Sequence, residues 1–457
     1  MSGTVHARGH LGRTALFLAG ALIVVLALIS IGSFVYYKLN PARIVEQPPT
    51  PIPLLLRPVA AGADHDQVTR GQYLTVAGDC VSCHTRAGGK PFAGGLGLRT
   101  PFGVIYTPNI TGDRSAGIGA WTPAAFYGAL HEGVDDEGHH LYPALPYTHF
   151  TNVTRTDSDA ILAFLKTTPG DSYAPPGNRL PFPLNIRLVL IGWNAINFRP
   201  HSFHADPARS AAWNRGAYLV RGLEHCGACH TPKTFMEAEK GSRAFQGAKL
   251  DNWLAPDLTG NPRSGLGRWS VADIVEYLKT GRNVHANAAG QMAQVVSYST
   301  SQLTDSDLAA IGTYIKSLKA SQGADPPPPS RAAMRAGGAI YSDGCTGCHH
   351  VDGRGVPRFF PALAGEPGSQ QADPTTTVHV ILAGARTGPT PSRPSTPSMP
   401  SFAWKLTDQQ IADVATYVRN SWGNRAAEVP VSAVAKMRRA LISQGVPMPT
   451  EHLVAER

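Results

Sequence analysis

Cys80-Val81-Ser82-Cys83-His84 is the stretch on which the reading of this chain turns. Two cysteines separated by two residues and followed at once by a histidine have a specific chemical use. Their sulfurs add to the two vinyl groups on one edge of a porphyrin, and the intervening pair lets a tight turn span that edge. The next imidazole then reaches the iron as its proximal ligand. The pattern recurs at Cys226-Gly227-Ala228-Cys229-His230 and at Cys345-Thr346-Gly347-Cys348-His349, and the chain's 6 cysteines all fall in these motifs. A redox dithiol or half a zinc site would explain one C-x-x-C. Neither explains three copies, each followed by His, with no cysteine left over. The sequence therefore predicts three covalently bound haem c groups, with His84, His230 and His349 as proximal ligands.

At 457 residues the chain has room for about three domains. Its 47 glycines and 38 prolines are many for a helical protein. They suit domains whose core is largely porphyrin and whose chain is rich in loops. The net charge of +9 is spread without a dense Lys/Arg run, which reads as a solvated surface and argues against nucleic-acid binding. The fold class expected is mainly α, with three tandem cytochrome c domains behind an N-terminal transmembrane helix.

Residues 15–37, ALFLAGALIVVLALISIGSFVYY, are the only segment of membrane length. At about 1.5 Å per residue they span a hydrocarbon core of roughly 30 Å with some tilt. Arg8 and Arg13 precede the segment, and Tyr36, Tyr37 and Lys38 form an interfacial collar after it. A cleaved signal peptide is the alternative, but the apolar run exceeds a usual h-region and no small-x-small cleavage site follows. An uncleaved single-pass anchor is expected, with residues 1–14 cytoplasmic. Haem c is attached on the outer face of the bacterial inner membrane, so the haem domains are expected in the periplasm. That argument fixes the orientation, because Lys38 and Arg43 offset Arg8 and Arg13.

Residues 38–65 read as a stiff Pro-rich linker. Three similar units follow, expected at 66–170, 206–322 and 334–424. Each has a helix before its haem motif bearing small residues and Tyr, a face suited to close helix crossing. Pro108-Asn109-Ile110-Thr111 is repeated as Pro256-Asp257-Leu258-Thr259, and each copy leads through a Gly-rich loop to a tryptophan, Trp121 or Trp269. Closing helices are expected from Asp157, Asp305 and Asp408; Thr304 and Thr407 are N-caps for the last two. Between units, 171–205 contains Leu188-Val189-Leu190-Ile191-Gly192-Trp193, which is either a buried inter-domain helix or a contact with lipid or a partner. Residues 323–333 form a Pro-rich hinge. The tail, 425–457, carries a basic amphipathic stretch, 431–442, that is a docking helix, a membrane-surface helix or a solvated end.

An electron-transfer haem usually has a second axial ligand. Met292 follows His230 by 62 residues and Met399 follows His349 by 50, each in the loop before its closing helix. Both are the expected distal ligands. Met334, Met236, Met437 and Met448 are misplaced for that role. In the first unit, counting 61 residues from His84 reaches Leu145, and no methionine occurs between Met1 and Met236. Leucine cannot bind iron. The first haem is then either five-coordinate or ligated by a histidine, His149 first and otherwise His131, His139 or His140.

With these motifs and spacers in hand, the chain resembles the three-haem cytochrome c subunit of membrane-bound periplasmic dehydrogenases. These are the alcohol, gluconate, sorbitol, fructose and aldehyde dehydrogenase complexes of acetic acid and related bacteria. The resemblance covers about residues 66–425. It is carried by Gly78-Asp79-Cys80-Val81-Ser82-Cys83-His84-Thr85, Pro91-Phe92-Ala93-Gly94-Gly95, Thr107–Thr111, His140–Tyr147, Trp213–Val220 and Cys226–Lys233. It implies an electron-transfer subunit with no substrate chemistry of its own. A catalytic subunit with a quinone, flavin or molybdenum cofactor, with or without a small subunit, would supply electrons, and ubiquinone in the membrane would receive them. Two departures stand out: Leu145 replaces the family's methionine, and the long N-terminal anchor is unlike members with a cleaved signal. A free-standing membrane cytochrome feeding a terminal oxidase and a multi-haem peroxidase are the alternatives.

Overall fold

The computed structural model describes residues 6–39 and 64–446. Most of the linker expected over 38–65, and the tail end with Met448, lie outside the described residues. The apolar segment is part of one continuous helix, His6–Leu39, longer at its N-terminus than the expected span. Its stretch from Leu18 to Tyr37 is apolar and long enough to cross a membrane, and none of it is buried in the protein. The far end of this helix meets the body, where the Phe182 amide donates to the Ser33 hydroxyl at 2.9 Å.

The body is built from three similar units. In each, a helix leads to the haem motif and a closing helix crosses it: His65–Ala77 with Arg155–Thr167, Ala211–Tyr218 with Asp305–Lys316, and Arg331–Gly344 with Asp408–Asn420. The crossing is made close by one glycine per unit. A Cβ at Gly71, Gly216 or Gly337 would lie 1.8, 2.0 or 2.1 Å from the carbonyl oxygen of Ala160, Ala310 or Asp413. No side chain fits there, which is why the Tyr-and-small-residue face carries a glycine at that point. The closing helices start as their sequences dictate. Thr154, Thr304 and Thr407 accept hydrogen bonds from the amides of Asp157, Asp307 and Gln410, and Gln410 bonds back to complete a capping box. A two-stranded antiparallel hairpin completes each unit: Gly97–Thr100 with Gly103–Tyr106, Gln246–Leu250 with Trp253–Asp257, and Ala385–Arg386 with Ser398–Met399.

The first two units are not separate globules. Leu74, Leu165, Leu219, Leu223, Leu308 and Ile311, all essentially buried, belong to one continuous core. The third unit has a core of its own around Tyr341, Leu382, Ile411 and Val434. The tail helix Val431–Ser443 docks on that core through Val434, Met437 and Leu441, and Arg438 bonds Asp408 at 2.7 Å. Of the readings the sequence left open for this stretch, the structure has the docking helix.

The helix inside the 171–205 segment, Val189–Asn197, buries only Leu190. Leu188, Ile191 and Ile196 are half exposed or more, so it is not the buried helix that was one of its two expectations. The reason is its connection. It is pinned through polar groups at one side, with Trp193 donating to the Met236 carbonyl and the Tyr147 hydroxyl to Asn194 Oδ1, and among the described residues the other side is left largely open.

Candidate haem sites

Each haem motif is a short helical turn, Cys80–Cys83, Cys226–His230 and Thr346–His349. The first two are entered through a left-handed residue, Asp79 and His225. Cys80 follows Arg70 by ten positions, but Cys226 follows Arg215 by eleven. The second unit takes up the additional residue in a π-turn, Leu219–Leu223, and so delivers its motif to an equivalent place.

The histidines of the three motifs share one geometry. Nδ1 of His84 lies 2.8 Å from the Pro108 carbonyl, Nδ1 of His230 2.7 Å from that of Pro256, and Nδ1 of His349 3.1 Å from that of Pro361. A carbonyl only accepts, so Nδ1 carries the proton and Nε2 keeps its lone pair. Burial lowers the basicity of all three rings, which favours the neutral form that binds a metal. A donor set of this kind, with its tautomer fixed by an outer carbonyl and two free thiols beside it, fits covalent haem c in all three places.

The repeated Pro-Asn/Asp-aliphatic-Thr segments are therefore second-sphere elements. The sequence displayed the repeat, but what it is for shows only in three dimensions. In the first copy the Asn109 side chain accepts from the Thr111 amide, and in the second Asp257 accepts from the Thr259 amide at 2.7 Å. These bonds hold the turns that aim the proline carbonyls.

Met292 lies in the first turn of the helix Gly290–Tyr298 and packs on the shared core, as Cys226 does. Met399, on the short strand Ser398–Met399, packs on the third core, as Cys345 does. Leu145 and Cys80 also pack on the shared core. A cavity of about 1950 Å³ runs beside these elements, and its walls include Cys83, Ala144, Pro146, Cys229, Gly290 and Met399.

His149, the first choice from sequence for the first haem's sixth ligand, is placed elsewhere. Its Nδ1 lies 3.1 Å from the Arg221 carbonyl and its Nε2 2.6 Å from Glu239 Oε1. Burial works to raise the Glu239 carboxyl, but hydrogen bonds and charge from His149 and Lys233 outweigh it and hold it below its usual range. Both ring nitrogens are thus engaged, Nδ1 by a carbonyl and Nε2 by a carboxylate. The ring packs instead against Gly227, in the second haem motif. The other candidates are engaged too. His131 donates through Nδ1 to the Thr151 carbonyl and stacks on Tyr127, His140 accepts at Nδ1 from the Asn194 amide, and His139 sits among Asp135 and Glu137.

The first and second motifs lie close together, near enough for the charges of Asp79 and Cys229 to act on the Cys83 thiol. Asp79 and Glu224, which precede the two motifs, are both buried, and burial raises both carboxyls well above the usual range. Around this junction the two units exchange contacts reciprocally. Arg70 pairs with Asp157, whose Oδ2 accepts from the second unit's Tyr218 at 2.5 Å. Arg215 pairs with Asp307, whose Oδ2 accepts from the first unit's Tyr73 at 2.6 Å. Each tyrosine oxygen also accepts an amide at 3.3 Å, from Thr154 and Thr304 respectively. The sequence reading missed this pairing, although Arg-Gly-x-Tyr-Leu occurs in both units.

The paired motifs, fixed tautomers and closing helices define a cytochrome c. The cytochrome c family profile matches residues 68–169, 214–319 and 334–422. The chain is 39% identical over 395 residues to the gluconate 2-dehydrogenase cytochrome c subunit of Pantoea cypripedii, covering 81% of this chain and 89% of that one. It is 41% identical over 400 residues to the cytochrome c subunit of the quinone alcohol dehydrogenase of Komagataeibacter europaeus, covering 82% and 85%. The fructose dehydrogenase cytochrome subunit of Gluconobacter japonicus is 37% identical over 412 residues, 83% and 84% of the two chains. The chain belongs to this family of cytochrome c subunits, and it is an electron-transfer protein that binds haem c covalently.

Proposed function

We propose that the chain is the membrane-anchored, three-haem subunit that takes electrons from the catalytic subunit of a periplasmic dehydrogenase and delivers them to ubiquinone. Haem c, when bound, supplies a one-electron carrier at each motif. Cys80 and Cys83, Cys226 and Cys229, and Cys345 and Cys348 anchor the three groups. His84, His230 and His349 are the proximal ligands, and Met292 and Met399 the distal ligands of the second and third haems. The observation that carries this reading is the threefold Nδ1-to-proline-carbonyl bond, which prepares three imidazoles alike for iron.

The catalytic subunit carries a quinone, flavin or molybdenum cofactor; the relatives are named for gluconate, alcohol and fructose dehydrogenases, the alcohol enzyme with a quinone. The helix from Leu18 to Tyr37 holds the chain in the inner membrane with the haem units on the periplasmic side. The domain limits follow the sequence reading, with units at 66–170, 206–322 and 334–424.

The test is purification of the native complex from detergent-solubilised membranes. Three haems per chain by pyridine haemochrome, a co-purifying dehydrogenase subunit, and substrate-driven reduction first of haem and then of added ubiquinone are expected. A polypeptide that purifies alone from gently solubilised membranes would overturn the partner assignment.

A further inference from the structure

We propose that the first haem has no sixth ligand from the protein, and that its distal side, faced by Leu145, is a binding site for a small neutral diatomic molecule of the carbon monoxide or nitric oxide kind. The inference rests on the haem assignment above and goes beyond it, because a relay of electrons needs no exchangeable position.

The argument begins with equivalence. Leu145 and Met292 pack on the shared core that Cys80 and Cys226 also join, Met399 packs on the third core with Cys345, and Leu145 follows His84 by 61 residues as Met292 follows His230 by 62. Only at Leu145 does the side chain lack a lone pair. The loop that carries it, Leu141–Tyr147, is held in place by its own bonds. The Tyr142 hydroxyl donates to the Leu184 carbonyl at 2.8 Å, the Tyr147 hydroxyl to Asn194 Oδ1 at 2.7 Å, and the Leu145 amide to the Tyr142 carbonyl at 3.1 Å. The loop is therefore not free to swing out and admit another residue. Tyr142, Ala144 and Pro146 line the same cavity as Val81 and Cys83 of the first motif.

The ligating side chain nearest to Leu145 in sequence is engaged elsewhere: His149 has Nδ1 on the Arg221 carbonyl and Nε2 on Glu239. His131 bonds the Thr151 carbonyl through Nδ1 and stacks on Tyr127, and its Nε2 is put to the test below. Met236 lines the same cavity from the second unit's loop, and its thioether is tested with it.

The chemistry of the loop selects the ligand. Bound dioxygen and peroxide develop negative charge and need a hydrogen-bond donor or a base on the distal side. Leu145 offers neither, and the hydroxyls of Tyr142 and Tyr147 are spent on other acceptors. A neutral diatomic that needs no such donor is the class this surface suits.

The experiment uses the full-length holoprotein in detergent with carbon monoxide as the probe. Pyridine haemochrome first counts the haems; a count other than three would sink the haem assignment and not this inference. With three present, the dithionite-reduced protein is expected to bind carbon monoxide at one haem per chain, and the oxidised protein to show one high-spin ferric EPR signal beside two low-spin ones. Leu145→Met, which conserves volume, is expected to abolish both carbon monoxide binding and the high-spin signal. His149→Gln, His131→Gln and Met236→Leu are expected to leave both unchanged. Three low-spin haems and no bound carbon monoxide in the unmodified protein would overturn the proposal. So would a gain of carbon monoxide binding in any of these three variants, which would name that residue as the ligand.

Discussion

The junction between the first and second units and the junction between the second and third are built from different materials. The first is a continuous apolar core closed by two Arg–Asp–Tyr clusters whose carboxylates are buried, each with its tyrosine reaching across from the other unit. The second is polar and segmented. Glu276 accepts from Arg358 and from Arg393, Thr376 bonds both the amide and the carbonyl of Leu254, and Gln444 bonds Asn252 and Asp251. Asp325, in the Pro-rich hinge, holds Arg263 of the second unit and Arg425 beyond the third. Removing apolar surface from water yields roughly 1.5–3 kcal/mol per large side chain, whereas exposed ion pairs yield about 1 kcal/mol or less. The difference teaches that the first two units are one body with a nearly twofold exchange of contacts, and that the third is attached to it.

The largest test of that division is at the three crossing glycines. Alanine at Gly71, Gly216 or Gly337 would put a carbon inside the contact radius of a facing carbonyl, and the helices must part at a cost of about 3 kcal/mol or more. Gly71→Ala or Gly216→Ala should unfold the first two units together, because they share a core. Gly337→Ala should unfold the third and leave the pair intact. Limited proteolysis followed by mass spectrometry reads which units survive, and a Gly337→Ala protein that loses all three would erase the distinction drawn here.

The next effect belongs to the reciprocal tyrosines. Tyr73→Phe and Tyr218→Phe each remove a hydrogen bond to a carboxylate buried in the junction, costing about 1–3 kcal/mol. Because the clusters are related by near-symmetry and lie in one core, the two changes should cost similar amounts in urea unfolding of the holoprotein. A tenfold asymmetry in the equilibrium constants would show the exchange to be symmetric in geometry but not in energy.

These tests concern what the sequence did not display. The motifs, the helix caps at Thr304 and Thr407 and the glycine-bearing crossing faces were legible, because each is a pattern among residues within one turn or one helix. The merged core was not, since Tyr73 and Asp307 lie 234 residues apart and either would serve equally well as a surface residue. The proline carbonyls were half legible: their flanking repeat was plain, but a backbone oxygen leaves no mark in a side-chain pattern. His149 was drawn toward iron by its nearness to Leu145 in sequence. Glu239, 90 residues away, is the group that engages it in the fold. At the first distal position the sequence alone showed the anomaly, because a leucine where a ligand belongs is a statement about residue type.

Acid should loosen the attached unit. His379 is buried, bonds the Asn252 carbonyl through Nδ1 at 3.0 Å and lies against the Trp253 ring at 3.9 Å between centroids. Burial lowers its pKa to about 4 from an ordinary 6.5, the Asn252 carbonyl opposing only in part. Below 6.5 the unfolded chain takes up a proton that the folded one refuses until near 4. Stability at this junction is therefore full above pH 6.5 and declines as pH falls from 6.5 to 4. Hydrogen exchange of the helix Thr375–Ala383 should rise over that interval, and His379→Gln should flatten the dependence.

The smallest effect sharpens the comparison most. Glu276→Gln removes the carboxylate that Arg358 and Arg393 share, and these groups are partly open to water, with side-chain exposures of 23%, 50% and 24%. A loss of about 1 kcal/mol or less is expected, and salt should reproduce it in the unmodified protein because exposed charges are screened. The first junction should not respond to salt in this way, since its carboxylates are buried and its adhesion is mainly apolar. Proteolysis at Pro326–Pro329 that quickens with ionic strength, while exchange in the helix His65–Ala77 stays constant, is the expected outcome. If both junctions loosened together, the apolar core would not be what holds the first two units as one.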